Sequence, residues 1–139
     1  MLIGEYNYAM DEKGRLNFPA KFREQMGREF VVTRWLDDCL VAFPQGEWQR
    51  ITDILKSKSM VKTRDIQRFL FSAAEEVSPD KQGRILLGSA LRTHARLEKE
   101  VTVIGVGSYA EIWNTAAWAE KQKSLGSADI EAAMEELEF

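Results

Sequence analysis

The sequence predicts an α+β fold, mostly β, in which two tandem copies of one small unit are related by a pseudo-two-fold axis and flanked by helices. The first observation is a repeat: Asp11-Glu12-Lys13-Gly14-Arg15-Leu16-Asn17-Phe18 lies over Asp80-Lys81-Gln82-Gly83-Arg84-Ile85-Leu86-Leu87, and Phe22-Arg23 then lies over Leu91-Arg92 at the same spacing. The second is that the likeness continues. Phe30-Val31-Val32 resembles Val101-Thr102-Val103, and Phe43-Pro44 with Trp48 resembles Trp113-Asn114 with Trp118. The third is the period-two alternation of apolar residues around each turn, the mark of half-buried strands.

Each copy reads in the same order: an extended segment, a turn, a short strand, a brief helical turn, two further strands and a helix start. Tyr6, Tyr8 and Met10 share one strand face ahead of the first turn. After it Leu16 and Phe18 point inward, leaving Arg15 and Asn17 outward. In the second copy Ile85 and Leu87 take the inward positions, with Arg84 and Leu86 outward. Between the copies, Glu47 to Lys58 carries Trp48, Ile51 and Leu55 at helical spacing. Past a polar break from Ser57 to Thr63, a second helix carries Ile66, Phe69, Leu70 and Ala73. At the C-terminal end Ser127 is placed to cap a helix with a narrow stripe of Ile130, Met134 and Leu137, with a frayed acidic tail as the alternative. The resulting division is repeat 1 over residues 5–49, a helical connector over 50–75, repeat 2 over 76–119 and an acidic helix or tail over 120–139.

Composition narrows the function classes. Hydrophobic residues make up 45% of the 139-residue chain, enough for one small core, and no apolar run approaches the ~20 residues of a membrane span. The first residues lack the basic and apolar regions of an export signal, and a single Cys39 cannot form an internal bridge, so a cytoplasmic protein is expected. The net charge of −3 looks unsuited to nucleic acid, but after Gly126 there are five acids and no Lys or Arg. The body before that tail is therefore mildly basic, which permits a positive face.

The residues with chemistry are in the turns. Asp at the first position and Gly at the fourth suit a type I turn, so Asp11 and Gly14, like Asp80 and Gly83, are turn formers. The turn itself does not call for the arginine that follows, and alternation puts that arginine outside. Arg15 and Arg84 can each aim a planar five-donor guanidinium at a guanine edge or a phosphate, with Lys13 and Lys81 adding charge at the same tips. One such loop is weak evidence, whereas its recurrence in matching context is stronger.

Asp-x-Lys-Gly-Arg-Leu at residues 11–16, Pro19 with Phe22-Arg23, Phe-Leu-Phe-Ser-Ala-Ala at residues 69–74 and the second Asp-Lys-Gln-Gly-Arg together resemble the bacterial MraZ family over nearly the whole chain. The resemblance implies a swapped-hairpin fold of the SpoVT/AbrB-like, double-psi-barrel type. It also implies a regulator that represses its own operon and a division and cell-wall gene cluster by binding repeated boxes in double-stranded promoter DNA, as a homo-oligomeric ring at the nucleoid. It places the DNA-contacting arginines at Arg15 and Arg84 with Lys13 and Lys81 in support, and gives Arg23 and Arg92 either a DNA contact or a structural salt bridge. Gly88 stands where the family usually has proline and Gln82 where the first copy has lysine, so the second loop is expected to bind less strongly or mainly to support assembly.

Other chemistries have little support. His94 and Cys39 form no metal-ligand spacing, Gly105-Val106-Gly107-Ser108 reads as a turn rather than a dinucleotide fingerprint, and no nucleophile elbow or phosphate loop occurs. The acidic pairs Asp37-Asp38 and Glu75-Glu76 read as solvated loop charge. No catalytic residue, metal, cofactor, small-molecule substrate or membrane contact is expected. Two rivals are an antitoxin-like DNA binder whose acidic tail holds a toxin, and a self-processing pyruvoyl enzyme cleaving at Gly88-Ser89 or Gly107-Ser108.

Overall fold

The computed structural model describes all 139 residues. Eight strands and six helices follow in chain order: β1 (Glu5–Ala9), β2 (Arg15–Asn17), α1 (Ala20–Met26), β3 (Phe30–Arg34), β4 (Leu40–Phe43), α2 (Gln45–Ser57), α3 (Met60–Phe71), β5 (Glu75–Val77), β6 (Arg84–Leu86), α4 (Ser89–His94), β7 (Glu100–Gly105), β8 (Ala110–Asn114), α5 (Thr115–Gln122) and α6 (Ala128–Glu136). The repeated order of strand, turn, strand, short helix, two strands and helix agrees with the sequence reading. The second connector helix begins at Met60, inside the stretch read as a polar break, and Thr63 of that stretch is buried.

The strands are exchanged between the repeats. Six of them form one antiparallel sheet in the order β1-β7-β8-β4-β3-β5, and β2 pairs with β6 in a separate two-stranded ribbon. The first strand of each repeat therefore hydrogen-bonds to the other repeat: Tyr6 lies opposite Val103, and Val31 opposite Glu76. Exchanging β1 with β5, β2 with β6, β3 with β7 and β4 with β8 reverses the sheet order and leaves every pairing intact, which is the signature of the pseudo-two-fold. The axis passes through the ribbon, where Leu16 faces Ile85, and through the β4–β8 pairing.

One core of 20 buried residues draws on both halves, with Phe18, Phe22, Phe30 and Leu40 from the first and Ile85, Leu87, Leu91 and Ile112 from the second. Phe18 stacks obliquely on Phe30 at 4.9 Å and meets Phe22 edge-on at 6.0 Å, within the range of favourable aromatic pairs. β3 and β4 are buried on both faces, because α2 and α3 cover the side turned away from this core. Trp48 bridges the layers, 5.9 Å from Phe43 and 5.4 Å from Phe71. The Thr33 hydroxyl donates to the Leu70 carbonyl, and Arg34 Nε donates to that of Phe69, pinning α3 to β3. His94 sits half-buried with Nε2 3.1 Å from the Trp35 carbonyl oxygen, and residues 106–109, just past Gly105 at the end of β7, form the turn into β8.

Two local expectations change and one holds. Glu75 is not a solvated loop acid: its carboxylate accepts from the Gly88 N–H at 3.0 Å. A proline at position 88 would have no N–H to offer. Asp37 and Asp38 are exposed loop acids, as the sequence reading has them, in a short 3-10 turn at positive φ and pairing loosely with Lys121 and Arg96 at 3.8 and 3.7 Å. Ser127 occupies the N-cap position of α6 without a side-chain hydrogen bond.

Adjacent residues in the ribbon test the alternation. Ile85, fully buried, is expected to cost about 2–5 kcal/mol as Ile85→Ala. Leu86, 59% exposed, is expected to cost less than about 0.5 kcal/mol as Leu86→Ala. Urea denaturation of the two variants measures both.

Candidate nucleic-acid interface

Each loop is a closed Asp–Arg unit. In the first, the Asp11 N–H donates to the Arg15 carbonyl at 3.0 Å and the Gly14 N–H donates to the Asp11 carbonyl at 3.1 Å, closing the turn. Asp11 Oδ1 accepts from the backbone N–H groups of Lys13 and Arg15, both at 2.9 Å, while Oδ2 accepts from Arg15 Nε at 2.5 Å. The second loop repeats the arrangement: Asp80 Oδ1 accepts from the Gln82 and Arg84 N–H groups at 2.9 Å, and Oδ2 from Arg84 Nε at 3.0 Å. The aspartates therefore do more than form turns, because each also fixes the side chain of its arginine. With Nε occupied, the terminal Nη groups of both arginines have no hydrogen-bond partner in the protein.

These hydrogen bonds stabilise the charged carboxylates. The backbone N–H of Arg15 is the main cause holding the Asp11 carboxyl below its ordinary value, and that of Arg84 does the same for Asp80.

Gly14 and Gly83 are required at their positions for two reasons. Their φ values of +89° and +80° lie in the region that L side chains avoid. Their missing Cβ atoms also make room for an arginine of the other repeat. A Cβ on Gly83 would lie 2.7 Å from Arg23 Cζ, and one on Gly14 would lie 2.9 Å from Arg92 Nε and 2.6 Å from the Leu87 carbonyl oxygen. Arg23 and Arg92 thus lie crosswise over the turns, each anchored by Nε to a backbone carbonyl: Phe18 at 3.0 Å and Leu87 at 3.1 Å. Neither forms an ion pair, so the salt-bridge alternative read from sequence is replaced by a carbonyl-anchored lid.

The ribbon places both loop arginines on one face. Arg15 lies directly opposite Leu86, and Asn17 opposite Arg84, while Leu16 and Ile85 face the core. Directly opposed residues share a face, so Arg15, Asn17, Arg84 and Leu86 form a single outward patch. Arg15 and Arg84 are diagonal neighbours about 7–8 Å apart along the backbone positions. Their side chains are 39% and 32% exposed. Lys13 and Lys81 are exposed at the tips of the two loops, at opposite ends of the ribbon. Sequence reading found the two arginines and their outward direction. It missed the crosswise role of Arg23 and Arg92, whose only sequence signal is their recurrence eight residues after each loop arginine.

The MraZ family model, described as MraZ protein, antitoxin-like, matches twice, over residues 1–69 and 70–138. A protein of Heliobacterium modesticaldum is 43% identical over 141 aligned residues, covering 100% of this chain and 99% of its own length. One of Caldanaerobacter subterraneus is 46% identical, covering 89% and 88%, and one of Limosilactobacillus reuteri is 48% identical, covering 85% and 84%. All three bear the name Transcriptional regulator MraZ.

Two measurements check the loop geometry. Gly83→Ala is expected to destabilise the fold by about 1–3 kcal/mol through left-handed strain, with the Arg23 lid displaced as well. Calorimetry reads the loss. Because both aspartate values are depressed on folding, the clasps contribute fully above the unfolded carboxylate value of ~3.9 and are lost as pH falls through the lower folded values. The amide resonances of Arg15 and Arg84 are expected to stay unchanged from pH 7 to 5 and to shift together below pH ~3.9.

Proposed function

Because this chain belongs to the MraZ family, we propose that it is a sequence-specific DNA-binding transcriptional regulator that inserts the β2–β6 ribbon into the major groove. The observation that carries this reading is the shared outward face of Arg15 and Arg84, each held at Nε with its terminal amino groups free. A major groove about 12 Å wide admits a two-stranded ribbon, and a guanidinium offers two parallel donors to the O6 and N7 acceptors of guanine. Arginines held in place before contact lose little side-chain entropy on binding, which favours affinity. Diagonal placement lets the two read neighbouring base pairs, one from each strand of the ribbon.

Lys13 and Lys81, at opposite ends of the ribbon, reach toward the phosphates that flank the groove. Their contribution is electrostatic and indifferent to sequence. Gln82 in place of lysine does not weaken the second loop in this reading, because Lys81 stands where the first loop has the acidic Glu12. Arg23 and Arg92 act indirectly by holding the turns in shape. The targets are repeated boxes in the promoter of the chain's own operon and of division and cell-wall genes, bound by a homo-oligomeric ring at the nucleoid. Several ribbons at fixed spacing on repeated boxes gain avidity that one ribbon lacks. The role is regulatory rather than catalytic.

Arg15→Ala and Arg84→Ala are each expected to weaken specific promoter binding by more than about 1 kcal/mol, since a bidentate base contact is worth about 1–3. Thermal melts should show both variants folded. Lys13→Ala is expected to weaken all sequences alike and to reduce the salt slope by about 1. Gel-shift titration over a range of salt concentrations reads all three. Binding that ignores both arginine substitutions would remove the ribbon from the interface.

A further inference from the structure

A groove of about 560 Å³ opens between α2 and α3 beside the Leu36 turn, and neither loop contributes to its lining. Eight of its nine lining residues are hydrophobic, and several lie open to solvent: Leu36 at 65%, Ile54 at 43% and Ile66 at 46%. Within one chain nothing covers it. The segment that forms it, residues 45–71, carries six cations (Arg50, Lys56, Lys58, Lys62, Arg64, Arg68) against three acids.

The C-terminal helix α6 has the complementary character. Its Ile130 and Met134, with Leu137 at its C-cap, recur at spacings of four and three, so they line one face, and they are exposed at 36%, 46% and 71%. The residues around that stripe are acidic, with five Asp or Glu and no Lys or Arg from Ser127 to Phe139. α6 buries no residue of its own in the single chain. Its nine residues make a rod of about 14 Å, shorter than α2 and α3, so it fits along the groove they form.

We propose that α6 of one chain seats its Ile130–Met134–Leu137 stripe in the α2–α3 groove of a second copy. Asp65 is the one charged residue of the lining, but Lys58 and Lys62 stand one helical turn from the lining residues Ile54 and Ile66, so the acids of α6 meet cations at the end of the groove, and two apolar surfaces that each chain leaves open are removed from water together. A second copy fits better than the chain's own helix. The Lys121–Asp37 contact already holds the end of α5 beside the Leu36 turn, and even from that position α6 leaves the groove empty. The contact joins unlike surfaces of two identical chains, so it repeats from copy to copy and closes into a ring when the rotation permits. The inference rests on the reading that the chain self-associates and supplies the surface through which it does so.

Cross-linking of the full-length chain provides the test. Ile66→Cys and Met134→Cys chains, carrying different tags, are coexpressed and mildly oxidised. Cys39 is buried with a thiol pushed far up by burial, so it stays silent. A disulfide joining the two tags is expected. In sedimentation, Ile130→Asp/Met134→Asp and, separately, Ile66→Asp are expected to weaken self-association at least tenfold, and all three positions are exposed enough for the fold to survive. If the wild-type chain assembles but neither the disulfide nor the weakening appears, this surface is wrong and the assembly reading stands. If the wild-type chain is monomeric at every concentration, both fail. A disulfide that forms only within a chain carrying both cysteines, at high dilution, overturns the proposal in favour of self-docking. Loss of a small co-purifying protein with assembly unchanged overturns it in favour of a partner of another kind.

Discussion

Neither repeat can complete its own sheet. β1 finds its hydrogen-bond partner in β7 and β5 finds one in β3, so an isolated half would leave strand edges and the apolar faces of Leu16 or Ile85 open. A unit of that size cannot bury enough surface to offset its chain entropy. Interlocking satisfies both halves at once, and everything presented to the outside is positioned by it. The two-stranded ribbon exists only because the second strand of each half meets the other at the pseudo-axis.

From this pairing follows the geometry of the charged face. Two loops that are far apart in sequence supply arginines to one patch, and neither is aimed by chance. Each guanidinium is tethered to a carboxylate that also closes the turn, so order in the backbone becomes order in the side chain. The mild acidity of the whole chain is compatible with such a face, because five of its 22 acids and none of its 19 Lys and Arg lie after Gly126, which leaves the rest of the chain with a slight excess of cations. Net charge is a poor guide here, and the distribution of charge carries the information.

Much of this was legible in the residues. The repeat, the turn formers, the outward arginines and the order of elements follow from Asp-x-x-Gly-Arg and from alternation, because those signals are local. The start of α3 was misplaced because Thr63, polar in type, is buried and donates its hydroxyl to the Ser59 carbonyl one turn back. Glu75 read as surface charge because its partner is a backbone N–H thirteen residues away, which no periodicity reveals. The roles of Arg23 and Arg92 escaped for the same reason: each acts on the half of the chain to which it does not belong.

That crosswise placement has a consequence for how such a chain can change over generations. A duplicated gene ordinarily frees one copy to drift, but here each half keeps the glycine that accommodates the other half's arginine. A bulkier residue at position 83 would be felt by residue 23, and one at position 14 by residue 92. The halves are therefore bound to drift together where they interlock. They are free to diverge only at solvent-facing sites such as the Lys13 and Gln82 pair, and in the helices that follow each repeat.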